Sequence, residues 1–297
     1  MANISPVCAI WIAWFITAAN VVISKLATPY VSSALFLLLV CTVASACFAV
    51  YFWKDKQWKN LFRKDVWPKA LAMGTFGTAL PMTIFMIALN YTTPVNVAID
   101  NQFEIIYSLI LTAVLLKERP TPKQLGGSAL ILLGVGLILL QPGTSLAAKK
   151  GDLMVLGCLW MYQVSHIFAK KLPSDLSPAL IAAARAFYAI PALVVLVACL
   201  PVFNQPIQLH SCATLWIILF ASAIFNYFIG NTFWYRAIRN MDLSKATAII
   251  LSYPVMTYIL SVCFGQDTVT LIKITGMVLA IGGAYIVTGI IKKGDAK

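Results

Sequence analysis

Residues 121–136 read TPKQLGGSALILLGVG, and residues 270–285 read TLIKITGMVLAIGGAY. The second stretch repeats the first after 149 residues, with Thr, Gly, Leu and Gly at the same places in both. Other pairs with the same separation are Ala88 with Ala237, Trp11 with Trp160, and Glu118 with Asp267. One constant shift across several segments is hard to obtain by chance, so the chain is predicted to contain two related halves. We expect these halves to be residues 1–145 and 146–297.

The composition predicts a membrane protein. Of the 297 residues, 61% are hydrophobic and only 11% are charged, whereas about a quarter of a soluble domain is charged. A membrane-spanning helix needs roughly 20 mostly apolar residues, and the runs are too long for the strands of a membrane β-barrel. Apolar runs lie near 4–24, 31–53, 68–89, 94–116, 124–141, 152–169, 177–200, 212–235, 243–264 and 272–291. The sequence therefore predicts an all-α membrane protein with ten transmembrane helices.

The number of runs per half predicts the relation between the halves. Each half contains five runs, so the second half enters the membrane from the opposite side. The predicted architecture is ten transmembrane helices in two inverted five-helix repeats. Such repeats are typical of secondary transporters, whose substrate site lies between the two copies. Glycines recur in the fifth and tenth runs, which are therefore expected to be packing helices.

The net charge of +12 is distributed unevenly. In the ten-helix arrangement, 17 lysines and arginines lie on the side of the two termini and four on the other, with Arg185 inside a run. Basic residues accumulate on the cytoplasmic side of membrane proteins. Both termini are thus predicted to be cytoplasmic, in the cell inner membrane. No basic stripe interleaved with aromatics lies on a soluble domain, so nucleic-acid binding is not expected.

Three stretches of the first half resemble the EamA-type family of the drug/metabolite transporter superfamily, namely ALNYTTPVN at 88–96, LKERPT at 116–121 and QLGGSALILLGV at 124–135. The resemblance implies ten helices in two inverted halves and transport of a small metabolite. Amino acids or related metabolites are the substrates it favours, and export is the more frequent direction. Two features depart from the family pattern. Ile105 stands where the second copy has Pro254, and Asp267 is displaced by the additional Gln266.

The fourth run contains the clearest candidate site residues. Asn96, Asp100 and Glu104 are spaced one helical turn apart and would share one face of a helix. An ionised carboxylate in the membrane costs at least about 2.5–3.5 kcal/mol, so it normally faces a cavity or a partner. The two carboxylates would also repel each other. They are candidates for proton coupling or for binding an amine, and the alternative is a buried ion pair with Arg185 that only packs helices.

Arg185 lies inside the seventh run and has two possible roles. Its planar guanidinium could bind a substrate carboxylate, or it could neutralise an acid of the fourth run or extend to the inner surface. The family often has Arg here whatever its substrate. Asn226, Tyr253 and Trp11 complete the predicted substrate-binding set. The alternatives are interhelical hydrogen bonding for Asn226 and Tyr253 and an interfacial position for Trp11.

Other classes of function lack support in the sequence. There is no P-loop, no HExxH and no Ser/His/Asp set placed to converge, so neither an enzyme nor an ATP-driven transporter is expected. The seven cysteines form no CxxC pair, and we predict no metal and no cofactor. The Lys- and Trp-rich stretch at 54–67 is either a short helix at the membrane interface or a basic loop.

The sequence therefore predicts a secondary active transporter that exports a small polar metabolite by alternating access. Its expected partners are this substrate, the lipid bilayer and possible coupling protons. One alternative is an importer or exchanger of a cationic or nucleoside-like metabolite, with Asp100 and Glu104 facing the positive charge. An alternative of another class is a membrane scaffold without transport activity, or an enzyme acting on lipids.

Overall fold

The computed structural model describes residues 4–54, 56–88, 91–92, 94–139, 150–203, 206–263 and 268–294. The α-helices of the first half are α1 (Pro6–Lys25), α2 (Ser33–Tyr51), α3 (Trp67–Gly74), α4 (Leu80–Ala88), α5 (Pro94–Asn101), α6 (Glu104–Leu115) and α7 (Pro122–Leu139). Those of the second half are α8 (Lys150–Lys170), α9 (Pro178–Cys199), α10 (Ala213–Ala221), α11 (Asn231–Asn240), α12 (Leu243–Ile250), α13 (Pro254–Cys263) and α14 (Leu271–Gly294). Within these ranges the only extended pairing is an isolated bridge between Val31 and Leu209. The protein is all-helical, as predicted.

Seven helical stretches of the described residues are long and apolar enough to cross a membrane. They are Pro6–Ser24, Ser33–Tyr51, Pro122–Leu139, Lys150–Lys170, Pro178–Val202, Ala213–Asn240 and Leu243–Leu260. Each of them coincides with one of the predicted apolar runs. These stretches support a multi-pass membrane protein, and the full count of ten transmembrane helices stays a prediction.

The fourth and ninth helical runs are both interrupted. In the first half, α5 ends at Asn101 and α6 begins at Glu104. The expectation of one continuous helix over 94–116 is therefore wrong. At the break the hydrogen bonds tighten from four residues to three, as in the bond from Phe103 N to Asp100 O at 2.9 Å. Because of this change of spacing, the side chains after the break point in a different direction from those on the face formed before it.

The second half breaks in the same way between α12 and α13. Tyr253 N donates to Ile250 O at 3.0 Å, as Phe103 N does to Asp100 O. These two bonds are separated by 150 residues rather than 149. The first residue of α6, Glu104, therefore corresponds to Pro254, the first residue of α13. The alignment by sequence, which set Ile105 opposite Pro254, is one residue out at this point.

Two helices contain a π-helical segment in which the hydrogen bonds reach one residue further than in an α-helix. One segment, Thr75–Ala79, lies between α3 and α4, and the other, Ser222–Gly230, lies between α10 and α11. The 149-residue shift places 75–79 on 224–228, inside the second segment. The wider turn leaves carbonyl groups available to other donors, and such segments are frequent at functional sites.

Helices α7 and α14 approach each other through glycines. A Cβ added at Gly276 would lie 2.5 Å from Gly134 O, and one added at Gly283 would lie 2.5 Å from Gly127 O. Since Gly127 faces Gly283 and Gly134 faces Gly276, the two helices are antiparallel. Close backbone approach at small residues is how helices associate in lipid. The prediction that these are packing helices is confirmed.

We predict that Gly134→Ala lowers the melting temperature of the purified protein. The new methyl group would collide with the backbone of α14 at Gly276 and Ala280, and overpacking of this kind costs about 1–3 kcal/mol. Gly136→Ala is the matched control, because nothing lies within 4 Å of a Cβ there. Equal melting temperatures for the two variants would contradict the close contact between α7 and α14.

Candidate functional site

A cavity of about 380 Å³ lies between helices of the two halves. Its lining comes from α1, α4, α8, α9, α11 and both interrupted runs. The lining residues are Thr17, Val21, Met82, Phe85, Asn101, Glu104, Tyr162, His166, Arg185, Gly230, Asn231, Trp234, Ile250, Leu251 and Tyr253. The structure thus brings three of the predicted site residues, Glu104, Arg185 and Tyr253, to one cavity.

Glu104 is positioned by the break between α5 and α6. As the first residue of α6, its carboxylate lies at the positive end of that helix, which favours a negative charge. The side chain is half-buried, and Oε1 accepts a hydrogen bond from Gln163 Nε2 at 2.6 Å. Gln163 Oε1 and Asn101 Oδ1 are buried and accept no hydrogen bond within the described residues. Of these residues, Asn101 and Glu104 line the cavity and place acceptors at this end of it.

Arg185 is held by the first π-helical segment. Its Nη2 donates to Gly77 O, and its Nε donates to Thr78 Oγ1 at 3.0 Å. A third contact reaches Tyr235 OH at 3.5 Å from Nη1. These bonds fix the guanidinium in the cavity wall. The ion pairs among the described residues do not include one between Arg185 and Glu104, so the alternative of a direct ion pair between them has no support.

Four further residues of the lining form two pairs on helices of the second half. Tyr162 and His166 are four residues apart on α8, and Asn231 and Trp234 are three residues apart on α11, so each pair shares a helix face. Trp234 Nε1 lies 3.3 Å from His166 Nδ1, and the two rings pack edge to face. Tyr162 and Trp234 were not predicted from the sequence, and a polar residue one turn from an aromatic residue was the signal that could have identified them.

Asp100 does not belong to the described lining of the cavity. It precedes the break, and its carboxylate is close enough to Asp152 on α8 for the two to repel each other. Both side chains are buried, and Asp152 Oδ1 also accepts a hydrogen bond from Thr92 Oγ1. The expected continuous polar stripe fails because the helix ends at Asn101. The side chain of Asn96 lies outside the described part of the structure.

The two remaining candidates lie apart from the cavity lining. Trp11 packs edge-on against Trp14 with ring centroids 5.2 Å apart, and Trp14 Nε1 donates to Ser252 Oγ at 3.0 Å. Asn226 lies within the second π-helical segment. Substrate binding by Trp11, Asn226, Asn96 and Asp100 stays a prediction, without support from the cavity geometry.

A second cavity of about 450 Å³ adjoins the first, and both are lined by Val21 and Met82. The second cavity extends to Ala27 and Thr28 after α1 and to Val31 before α2. The second cavity therefore lies between the central site and the end of the bundle formed by residues 27–33. This is the end opposite the lysine-rich loops.

At the lysine-rich end, Glu118 joins the two halves. Its Oε1 accepts hydrogen bonds from Leu243 N at 2.8 Å and Lys170 Nζ at 3.1 Å. Its Oε2 accepts from both Ser244 N and Ser244 Oγ, at 3.1 and 2.8 Å. The carboxylate of the first half thus caps the N-terminus of α12 in the second half. Only 9% of the Glu118 side chain is exposed. The sequence singled out Glu118 as part of the repeat but gave no indication of this role.

The EamA-like transporter family model matches the chain twice, at residues 4–140 and 149–289. The chain belongs to this family. The matches confirm the family resemblance of the motifs at 88–135.

Several named relatives of this family member are transporters. An uncharacterized transporter, YyaM, from Bacillus subtilis (strain 168) is 24% identical over 79% of this chain and 77% of its own length. An uncharacterized transporter from Archaeoglobus fulgidus is 25% identical over 92% of this chain and 98% of its own. A probable amino-acid metabolite efflux pump from Escherichia coli (strain K12) is 25% identical over 67% of this chain and 69% of its own.

The fold is also found in a solved crystal structure. That structure superposes with a TM-score of 0.80 over 97% of this chain and 98% of the other chain, at 17% identity. At this level of identity the similarity shows the fold alone. The family assignment and the named relatives together make this chain a membrane transporter.

We predict that Glu118→Gln destabilises the protein by about 2 kcal/mol, since hydrogen bonds to a buried charged group contribute roughly 1.5–3 kcal/mol each. The amide would place a donor against either Lys170 or the Ser244 N–H. Asp175→Asn is the matched control, because Asp175 pairs with Arg63 at a more exposed site, and exposed pairs contribute about 0–1 kcal/mol. Thermal unfolding of both variants provides the measurement. Equal effects would show that Glu118 does not hold the halves together.

Proposed function

We propose that this protein is a secondary active transporter that exports a small zwitterionic metabolite, an amino acid or a close relative. The observation that carries this proposal is the cavity between the halves. It exposes a carboxylate and a guanidinium that are not paired with each other. Unlike charges held apart in one cavity match a molecule that itself bears both charges.

The architecture we propose is ten transmembrane helices in two inverted repeats, residues 1–145 and 146–297. Three observations support it. The glycine contacts make the corresponding helices α7 and α14 antiparallel, as an inversion requires. The breaks before Glu104 and Pro254 use the same hydrogen-bond pattern, and the π-helical segments correspond. The pair Glu118 and Asp267, expected on opposite sides of the membrane, cannot be compared because Asp267 lies outside the described residues.

The orientation we propose places both termini in the cytoplasm of a cell with this protein in its inner membrane. The 17-to-4 distribution of basic residues supports it. In this orientation the second cavity lies towards the outer side, while Glu118 and Lys170 lie at the cytoplasmic side. Alternating access would then require the Glu118 bonds to α12 to break when the cavity opens to the cytoplasm.

A zwitterion would be oriented by three features of the cavity. Its ammonium group would face Glu104, while its carboxylate would face Arg185 and the N-terminus of α13 beside Tyr253. The first turn of α13 has no acidic residue, whereas α6 has Glu104, so only one of the two positive helix ends is already compensated. Helix ends of this kind orient substrates in other transporters with discontinuous helices. The name of the Escherichia coli relative, an amino-acid metabolite efflux pump, agrees with this substrate class.

A cationic metabolite is the second candidate, in an importer or exchanger. The unpaired acceptor of Asn101 beside Glu104 favours it, and Trp234 offers an aromatic ring to a cation. Arg185 opposes it, because a like charge in the same cavity repels a cation. Competition of the two substrate classes for one transport activity would separate them.

We predict that Glu104→Gln abolishes most of the transport activity in proteoliposomes and removes its pH dependence. The amide keeps the shape and the hydrogen bond to Gln163 but cannot bind a proton or an ammonium group as a carboxylate does. Melting temperatures should stay close to that of the original protein. Near-normal flux through Glu104→Gln would refute a role for Glu104 in binding or coupling.

Asp100→Asn is the matched control for that variant, since it removes the other acid of the same run. The cavity geometry predicts that its flux is largely retained, because Asp100 is not among the residues that line the cavity. A loss of flux as large as that of Glu104→Gln would show that Asp100 also takes part in binding or coupling.

We predict that a single cysteine at Lys59 is labelled only from the cytoplasm and one at Ile207 only from outside, in a background without the seven native cysteines. Both positions are exposed, so accessibility depends on the side of the membrane. Labelling of intact cells with a membrane-impermeant maleimide provides the measurement. Labelling at position 59 from outside would overturn the proposed orientation.

A further inference from the structure

An apolar cleft of about 210 Å³ lies at the lysine-rich end of the bundle, away from the central cavity. It is bounded by the end of α2, the start of α9 and the short 3₁₀ helix Gln57–Phe62. We call it the 57–62 cleft. Its lining is apolar except for the Trp58 indole N–H and the Ser45 hydroxyl, which already donates to Cys41 O at 2.7 Å. The cleft is therefore predominantly apolar and suits a hydrocarbon chain.

The wall formed by the 3₁₀ helix is fixed to the rest of the bundle. Tyr188 OH donates to Leu61 O at 3.0 Å, and Arg63 forms ion pairs with Asp65 and Asp175. The hydrogen bond from Arg63 holds the pKa of the Asp65 carboxyl below its usual range, so this pair stays ionised at moderately acidic pH. Because the wall is held from several directions, the cleft exists before anything binds.

The chain segment around the 3₁₀ helix of the 57–62 cleft is rich in lysine. Lys54, Lys56, Lys59 and Lys64 are exposed, and none takes part in an ion pair between described residues. Trp58, which lines the cleft, is 41% exposed. Tryptophan and lysine in this combination are typical of the headgroup layer of a membrane. An apolar slot beside a lysine-rich segment is complementary to a lipid whose headgroup is anionic.

We propose that the 57–62 cleft is a binding site for an anionic phospholipid of the cytoplasmic leaflet. One acyl chain occupies the slot beside Phe62 and Phe187, and the phosphate-bearing headgroup lies against Lys56 and Lys59. The proposal rests on the membrane orientation proposed above but not on the identity of the transported substrate. It also gives the 54–67 stretch a function that an interfacial helix or a basic loop alone would not have.

The first test compares phosphatidylglycerol with phosphatidylcholine of the same acyl chains on the purified protein in detergent. Titration followed by native mass spectrometry and thermal unfolding should show tighter binding and greater stabilisation by phosphatidylglycerol. Lys56→Gln/Lys59→Gln should weaken phosphatidylglycerol binding by roughly fivefold per lysine and leave phosphatidylcholine binding unchanged. Lys117→Gln/Lys123→Gln removes the same charge at exposed positions outside the cleft and should have little effect. Equal losses in the two double variants would overturn the headgroup site.

The second test fills the slot. Ala49 lines the cleft, and Ala49→Trp should displace the acyl chain and abolish the preference for phosphatidylglycerol. Ala46→Trp adds the same side chain at an exposed position of the same helix outside the lining and should preserve the preference. An unchanged preference in Ala49→Trp would refute the acyl-chain site. Neither test measures flux. The lipid proposal can therefore be judged even if the proposed substrate is not transported.

Discussion

The contact between α7 and α14 is the constraint on which the arrangement of the two halves depends. Lipid tails are as apolar as leucine, so no hydrophobic force drives helices together inside a bilayer. Backbone approach at Gly127, Gly134, Gly276 and Gly283 supplies close packing instead. These helices line neither the central cavity nor its outer extension. The rigid contact is therefore separated from the part of the molecule that must change for transport.

The long helices could be predicted from the sequence because hydrocarbon thickness sets their length. The interruption before Glu104 could not. Gln102 and Phe103 are neither Gly nor Pro, and the polar stretch 100–104 in which they lie can equally be part of one continuous helix. In the second half Pro254 marks the equivalent place. Comparing the copies could have suggested a break, but the one-residue difference in local alignment set Pro254 opposite Ile105 and hid the correspondence with Glu104.

The candidate site was predictable where charge was involved. Glu104 and Arg185 stood out because ionised groups are expensive in a membrane, and both line the cavity. Asp100 met the same criterion, yet its neighbour is Asp152, far away in sequence and near only in the fold. Tyr162 and Trp234 carry no such penalty. Aromatic residues are common throughout these helices, so their place in the lining could not be distinguished from ordinary packing.

The π-helical segments affect the direction in which the side chains of the cavity lining point. Each residue of an α-helix turns the chain by about 100°, so the wider turn at Thr75–Ala79 changes the direction of every side chain in α4 relative to α3. Met82 and Phe85 reach the cavity from α4, while Lys69 on α3 donates to Lys171 O at the lysine-rich end. Asn231 and Trp234 follow the second segment in the same way. The residues that face the substrate are thus set by the number of residues in each π-helical segment. Removing one residue from a segment would rotate the following helix and turn a different face of it towards the cavity, although no lining side chain would itself be changed.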